Sequence, residues 1–323
     1  MTGGPHAVSA TIDAVDRFRG CLLGLAVGDA LGTTLEFSAP GTFSPVTDMV
    51  GGGPFGLKPG EWTDDTSMAL CLAESLLDRR GFDPLDQLER YARWCDHGYM
   101  SCTGRCLDIG NTVAAALRRF GESREPYPGD ADPMTAGNGS IMRLAPIAMF
   151  YARLPRKAIE YAAASSRTTH RAREAVDGCR YLASVIVGLL NGRSKETVLA
   201  GDYEAVSGLW DKEPLARKVA KIRQGSFRER QPPQIRGSGY VIASLEAALW
   251  AFSKSGSFME GAVLAVNLGD DADTTGAVYG QIAGAAYGVS GIPARWLEKL
   301  VWRERIQSMA DALYKAATAL PAR

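Results

Sequence analysis

The chain has 323 residues, of which 46% are apolar and 22% charged, a composition typical of a packed globular protein and too apolar for a disordered one. Its 36 basic and 36 acidic residues balance, so no overall positive field is present to hold nucleic acid or an anionic membrane. The longest apolar run, residues 181–190, is about half of a bilayer span, and the N-terminal segment lacks the pattern of a secretory signal. We therefore expect a cytoplasmic protein that binds neither membranes nor nucleic acid.

Helical periodicity dominates the chain. Apolar residues recur at three- and four-residue spacing in segments 15–31, 66–79, 85–96, 108–120, 140–152, 157–164, 171–191, 240–254, 257–266, 274–288 and 294–317. No stretch alternates as the strands of a β-sandwich do, and no loop has the length or bias of an interdomain linker. The sequence predicts an all-α fold, a compact multi-helix bundle that forms a single domain over residues 1–323 with its core at about 15–317.

Two rows of glycine stand out within the predicted helices. They are Gly20, Gly24, Gly28 and Gly32 in the first helix, and Gly276, Gly280, Gly284 and Gly288 near the other end of the chain. At four-residue spacing each row lines one helix face, at a cost of up to about 1 kcal/mol per glycine relative to alanine. Bare faces allow helices to approach closely. We expect the two rows to mark close packing at the centre of the bundle.

Acidic residues cluster beside these helices. Thr63, Asp64 and Asp65 precede one predicted helix, residues 269–274 (GDDADT) precede the second glycine row, and Glu36 follows the first. Asp and Thr are ordinary helix caps, which is the simpler interpretation, but capping needs one side chain and not two or three. If the glycine rows pack together, the acids converge and need a cation to stay ionised. Oxygen ligands of this kind suit Mg²⁺ or Mn²⁺.

Seven segments resemble the ADP-ribosylglycohydrolase family, most closely its bacterial dinitrogenase reductase-activating glycohydrolases, which are of the ADP-ribosylarginine hydrolase type. The segments are GCLLGLAVGDALGTTLEF (20–37), EWTDDTSMAL (61–70), GYMSCTGRCLDIGNT (98–112), AGNGSIMRLAPIA (136–148), TTH (168–170), GSGYVIASLEAALWAF (237–252) and NLGDDADTTGAVYGQIAGAAYG (267–288). The resemblance implies an all-α bundle with two divalent metal ions in a central cleft. It also implies hydrolysis of the bond between ADP-ribose and a protein side chain.

The resemblance assigns the metal ligands position by position. They fall on Glu36, Thr63, Asp64, Asp65, Asp271, Asp273 and Thr274, a set that agrees with the convergence expected from the acids alone. Asp270 is expected to be a capping or outer acid. Asp29 lies two helical turns before Glu36 and is expected to be a buried hydrogen-bond partner.

The resemblance also assigns substrate-binding residues. It implies that the phosphates lie on Gly137, Asn138, Gly139 and Ser140, which the periodicity places at a helix N-terminus, a setting that suits anions. It further implies that Asp108, Asn111, His170 and Tyr240 reach the cleft. By local sequence alone, Asp108 and Asn111 would form a capped turn, His170 would lie at an exposed helix start, and Tyr240 would be a core aromatic residue.

The implied reaction is attack of a metal-activated water on the anomeric carbon, with Glu36 or Asp108 managing the proton. A ring-opened intermediate, with Asp108 protonating the ribose oxygen, is equally compatible. Residues 98–112 favour ADP-ribosyl-arginine as the substrate. Hydrolysis of serine-linked ADP-ribose or O-acetyl-ADP-ribose, a phosphohydrolase and a non-catalytic ADP-ribose-binding protein are the alternatives. The expected partners are an ADP-ribosylated protein and the product ADP-ribose, and the chain is expected to be a monomer.

Overall fold

The computed structural model describes residues 12–321, which form fifteen α-helices. The helices are α1 Ala14–Gly32, α2 Asp64–Arg79, α3 Pro84–His97, α4 Asn111–Ser123, α5 Ala145–Phe150, α6 Pro155–Arg167, α7 Arg173–Leu190, α8 Lys195–Leu199, α9 Leu209–Lys212, α10 Arg217–Arg223, α11 Val241–Lys254, α12 Phe258–Val266, α13 Ala272–Tyr287, α14 Ala294–Lys299 and α15 Arg303–Ala319. Residues 12–321 contain no β-strand, only three isolated bridges. The all-α prediction is confirmed.

Helices α1 and α13 form the centre of the molecule and run antiparallel. A Cβ atom added to Gly24 or to Gly28 would lie well inside 3.0 Å of backbone carbonyl oxygens in the facing glycine row of α13. Real Cβ atoms do not approach this closely, so only glycine allows the two backbones to touch. The close packing predicted from the glycine spacing is confirmed.

The remaining helices surround this pair. Helices α12 and α11 pack against α13, α15 packs against α1, and α7 packs against α6 on one side and α13 on another. One continuous cluster of buried apolar residues extends from Phe18 to Ala317 and includes the fully buried Trp62, Trp94 and Trp296. None of the helices in the described part of the chain is both long and apolar enough to cross a membrane.

Three predicted helices differ from the structure. The segment predicted as a helix at 140–152 begins only at Ala145, because residues 139–143 form turns in which the Ile141 and Met142 N–H groups share the Asn138 carbonyl. The segment 294–317 divides into α14 and α15, because Trp302 adopts a left-handed conformation with φ of 61°. The helix predicted from residue 108 begins at Asn111. Helices α8 to α10 are too short to produce a detectable period.

The contact between α1 and α13 predicts that alanine destabilises the protein at a glycine in this contact but not at a glycine outside it. Gly280→Ala forces a Cβ into the Gly24 backbone and should lower the free energy of unfolding by more than about 3 kcal/mol, measured by denaturant titration. The matched control is Gly121→Ala on α4, where an added Cβ meets nothing within 4 Å. That control should be neutral or stabilising by up to about 1 kcal/mol. Equal stability of Gly280→Ala and the wild type would contradict the backbone contact.

Candidate metal centre and substrate cleft

Four helix N-termini line one cleft, which has a volume of about 960 Å³. Helices α2, α4, α11 and α13 present Asp64, Asn111, Tyr240 and Asp271 to it. Among the described residues, no N-cap side chain of these four helices caps the backbone N–H groups of its own first turn. The first N–H groups of a helix carry partial positive charge, so the cleft favours negative groups. Its volume lies at the upper end of the range for small-molecule sites, about 300–1,000 Å³.

The N-terminus of α2 is capped by a residue of another helix. The fully buried Asp29 of α1 accepts hydrogen bonds from the backbone N–H groups of Thr63 at 2.9 Å and Thr66 at 3.0 Å. Both threonine hydroxyl groups donate to it as well. The prediction that Asp29 is a buried hydrogen-bond partner is confirmed. Its capping role leaves Asp64 and Asp65 available for other contacts.

The N-terminus of α13 is capped in the same way. Glu36, four residues beyond the end of α1, accepts from the backbone N–H of Ala272 at 2.9 Å and of Asp273 at 3.3 Å through one carboxylate oxygen, Oε2. Capping of both helices therefore comes from the first helical segment and not from the acids that precede each helix. The acids at the helix starts are therefore not needed as N-caps, although Oδ1 of Asp273 accepts from the backbone N–H of Thr274 at 2.7 Å.

The acids converge as the sequence predicts. One group of three carboxylates, Asp29, Asp65 and Asp273, and a second group, Glu36, Asp108 and Asp273, each bring oxygen atoms within 4.8 Å of one another. Asp273 belongs to both groups. The hydroxyl of Thr63 lies 3.0 Å from Oδ2 of Asp273, although the two residues are 210 positions apart in the chain.

Burial and mutual repulsion raise the pKa of every carboxyl group in the cluster. Burial is the larger cause, and the charge of Asp273 adds to it for Asp65, whose pKa rises well above its usual value. Burial likewise raises the pKa of Asp29 to about 7 and that of Asp108 to about 6. Carboxylates in this setting stay ionised together only if a cation balances them.

The donor set fits a hard divalent cation. All the candidate ligands offer oxygen atoms, which Mg²⁺ and Mn²⁺ prefer. Oδ1 of Asp65 is buried and has no hydrogen-bond partner among residues 12–321, although a buried carboxylate oxygen normally has one. A ligated cation would satisfy this oxygen. These residues could therefore hold a metal ion.

The predicted metal ligands divide into residues that line the cleft and residues that are buried behind them. Glu36, Asp64, Asp271 and Thr274 line the cleft. Thr63, Asp65 and Asp273 are buried beside them, each 1% exposed or less. Asp270 belongs to neither carboxylate group; its backbone N–H donates to Ser38 and its carbonyl accepts from Phe37.

The predicted substrate-binding residues reach the cleft with one exception. Asn111, Gly137, Asn138, Gly139, His170 and Tyr240 all line it, as does the predicted catalytic Asp108. Ser140 does not, because its hydroxyl points behind the loop, where it accepts from Ser166 at 3.0 Å.

The loop formed by residues 137–140 is held in place from both sides. A bridge pairs Gly137 with Tyr240, and the Asn138 backbone N–H donates to Gly239 at 3.0 Å. The Asn138 side chain donates to Oδ2 of Asp271 at 3.0 Å, which joins this loop to the carboxylates. The prediction that the loop forms a helix N-terminus is wrong, since the turns that precede Ala145 separate the two.

Several cleft residues were missed from the sequence. Phe37 and Met134 line the cleft and are 67% and 91% exposed. The Tyr240 hydroxyl donates to Glu174 and accepts from Lys218 at 2.6 Å, so these two side chains set the position of the ring. Isolated residues in loops and on short helices carry no local signal for such positions.

Comparison of the chain with known proteins agrees with this geometry. The sequence profile of the ADP-ribosylglycohydrolase family matches residues 10–322. The chain belongs to that family. It is 47% identical to the ADP-ribosylarginine hydrolase Tri1 of Pseudomonas putida strain GB-1, over 94% of this chain and 79% of that protein. It is 35% identical to the ADP-ribosyl-[dinitrogen reductase] glycohydrolase of Rhodospirillum rubrum, over 94% of this chain and 97% of that protein.

A solved structure agrees with the fold of this ADP-ribosylglycohydrolase. It is described as an ADP-ribosylglycohydrolase-related protein complex, and it superposes with a TM-score of 0.82 at 45% sequence identity. The match covers 94% of this chain and 99% of that one. The family resemblance predicted from the seven sequence segments is confirmed, and with it the assignment of the protein to the glycohydrolases.

The raised pKa of Asp108 predicts a pH-dependent stability in metal-free protein. Burial raises its pKa to about 6 from an unfolded value of about 3.9, so its stabilising contribution is complete below about pH 4 and is lost as the pH rises through 6. Asp108→Asn stays neutral and suits the positive φ of 58°. In the presence of a metal chelator, the stability of this variant relative to the wild type should rise between pH 4 and 6, reaching an advantage of about 3 kcal/mol in the free energy of unfolding at pH 8. A constant difference from pH 4 to 8 would contradict the shift.

Proposed function

We propose that this ADP-ribosylglycohydrolase removes ADP-ribose from modified arginine side chains by hydrolysing the N-glycosidic bond between the ribose and the guanidino nitrogen. One observation supports this above the others: two carboxylate groups that share Asp273 adjoin an open cleft large enough for ADP-ribose. The linkage is taken from the names of the relatives, which at 47% and 35% identity are an ADP-ribosylarginine hydrolase and a dinitrogen reductase glycohydrolase.

The proposed cofactor is a pair of divalent cations, Mg²⁺ or Mn²⁺. Their ligands would be Glu36, Thr63, Asp64, Asp65, Asp271, Asp273 and Thr274. The sharing of Asp273 between two carboxylate groups supports two neighbouring ions, and the unpartnered Oδ1 of Asp65 supports a ligand there. Such ions, when bound, balance the carboxylate charge and polarise the oxygen atoms of ribose and water.

The ADP-ribose is proposed to extend from the carboxylates to the loop formed by residues 137–140. The backbone N–H of Gly139, with the N-terminus of α4 opposite, would hold the pyrophosphate, and Gly137 would leave room for it beside the loop. Asn111, Asn138 and His170 offer hydrogen bonds to phosphate or ribose oxygens. The Tyr240 ring, held by Glu174 and Lys218, offers an apolar face at the far wall.

Hydrolysis moves one proton from water to the leaving group. A water oxygen bonds to the anomeric carbon, the bond from that carbon to the arginine nitrogen breaks, and the nitrogen gains a proton while the water loses one. We assign this proton transfer to Asp108 for two reasons. The residue lies on the cleft wall, and its backbone adopts a strained left-handed conformation with φ of 58°. Glu36 has one oxygen engaged by the start of α13 and is better placed as a fixed acceptor.

The proposed cellular setting is the cytoplasm. All six cysteines lie within residues 12–321 and none is paired there, which suits the reducing cytoplasm. One large core cluster supports the cleft, which suits a single domain.

The metal assignment predicts the effect of neutralising Asp273. Asp273→Asn removes a carboxylate shared by both groups, so it should lower metal-dependent turnover at least about 100-fold and weaken Mn²⁺ binding in calorimetry. Asp271→Asn should act in the same direction. The control is Asp270→Asn, which removes the same charge from a residue that neither belongs to a carboxylate group nor lines the cleft, and it should keep near wild-type turnover. Full turnover by Asp273→Asn would refute the metal site.

The linkage predicts the substrate of the reaction. Arginine- and serine-ADP-ribosylated peptides are incubated with the protein and Mg²⁺ or Mn²⁺, and the products are identified by mass spectrometry. We expect free ADP-ribose from the arginine peptide only. Release from the serine peptide alone would move the assignment to O-linked substrates, AMP would indicate pyrophosphate cleavage, and the absence of any product would indicate a binding protein.

A further inference from the structure

Arg143 is a buried cation without an anionic partner in the described structure. It is 1% exposed, and its guanidinium donates to neutral oxygens, the Gly139 carbonyl at 2.7 Å and the Thr169 hydroxyl at 2.6 Å. The guanidinium stacks on the Tyr91 ring with its carbon 4.7 Å from the centroid, and its Nε has no partner within residues 12–321. Burial of an unpaired charge is costly, so a fold that keeps one has a use for it.

The contacts of Arg143 lead to the cleft. Thr169 is fully buried, and its hydroxyl lies 2.8 Å from Nδ1 of His170. Since a guanidinium can only donate, the Thr169 oxygen accepts from Arg143 and its single proton needs another acceptor. Nδ1 of His170 is the one that the described residues offer. Nδ1 therefore carries no proton, and the imidazole proton lies on Nε2.

The other edge of the imidazole faces the loop formed by residues 137–140, which we call the glycine loop. Nε2 of His170 lies 3.2 Å from the position of a Cβ on Gly137, and Cε1 lies 3.0 Å from that on Gly139, so both glycines leave space directly above the ring. His170 lines the cleft, and Nε2 has no hydrogen-bond partner among residues 12–321. The Nε2 edge of the ring thus lies beside the loop where the proposed function puts the pyrophosphate.

We propose that Arg143 and Thr169 position His170 for the bound anion. Arg143 orients the Thr169 hydroxyl toward Nδ1, which holds the imidazole neutral as its Nε2–H tautomer and presents that N–H to a phosphate or ribose oxygen. The buried guanidinium adds positive charge beneath the same loop. The anion-binding part of this inference rests on the proposed function, whereas the tautomer does not.

The charge state of His170 agrees with this arrangement. Burial, and secondarily the charge of Arg143, lowers the pKa of His170 to about 3. A neutral imidazole has one donor and one acceptor, so its tautomer decides which one faces the ligand. With the wrong tautomer, an acceptor lone pair would face the phosphate and repel it.

Histidine ¹⁵N NMR on the Mg²⁺-loaded protein tests the tautomer directly, because protonated and unprotonated ring nitrogens resonate far apart. The His170 signals are assigned by their loss in His170→Gln. We expect the wild type to carry its proton on Nε2. A proton on Nδ1 would overturn the proposal that Arg143 and Thr169 orient His170, whatever the variants show.

Substitutions at Thr169 test the role in binding. Thr169→Val should change the tautomer populations and raise the Kd for ADP-ribose about tenfold in calorimetry, whereas Thr169→Ser should restore both to near wild-type values. The matched control is Thr168→Val, which removes a buried hydroxyl beside the same guanidinium but without contact to His170. It should leave the tautomer unchanged and the Kd within about twofold.

The outcomes separate the two proposals. A Thr169→Val protein with the wild-type tautomer and affinity would overturn the positioning role. If that variant does not fold, the wild-type spectrum and the Thr169→Ser affinity still decide. If the wild type does not bind ADP-ribose, both the proposed function and the anion-binding role of His170 are wrong. The ¹⁵N spectrum still shows in that case whether Thr169 sets the tautomer of His170.

Discussion

The backbone contact between α1 and α13 is the constraint on which the site depends. The two glycine rows face each other from Gly20 against Gly284 to Gly32 against the start of α13. Because the helices are antiparallel, the end of α1 meets the beginning of α13, and Glu36 comes within hydrogen-bond distance of the first N–H groups of that helix. A side chain in either row would separate the helices and move the acids apart.

The carboxylate cluster is stabilised from several directions and still has an excess of negative charge. The N-termini of α2 and α13 offer partial positive charge, and Asp29 accepts hydrogen bonds from four donors on Thr63 and Thr66. These contacts do not offset the loss of hydration, since burial still raises the pKa of Asp65 well above its usual value. This imbalance is what a cation would correct, and it links the stability of the site to its function.

The cleft has two electrostatic halves. Carboxylates form one side, and the buried Arg143 lies beneath the glycine loop on the other, joined to the first side through the hydrogen bond from Asn138 to Asp271. A ligand with ribose hydroxyl groups at one end and phosphates in its middle matches this polarity. The same loop thus contacts both halves, so its position affects the carboxylates as well as the anion site.

The sequence by itself determined the helical class, the meeting of the two glycine-rich helices and the identity of eleven of the 23 residues that line the cleft. The first two features follow from local periods, and the cleft residues follow from the resemblance to a family through motifs such as GDDADT at 269–274. Only the tertiary structure showed that Asp29 and Glu36 cap α2 and α13, because a cap supplied by another helix leaves no trace at the helix start. It also removed Ser140 from the cleft, since a turn, and not a helix, follows the loop. The contact of Arg143 with Thr169 joins residues 26 positions apart in the chain, and only packing decides such a contact.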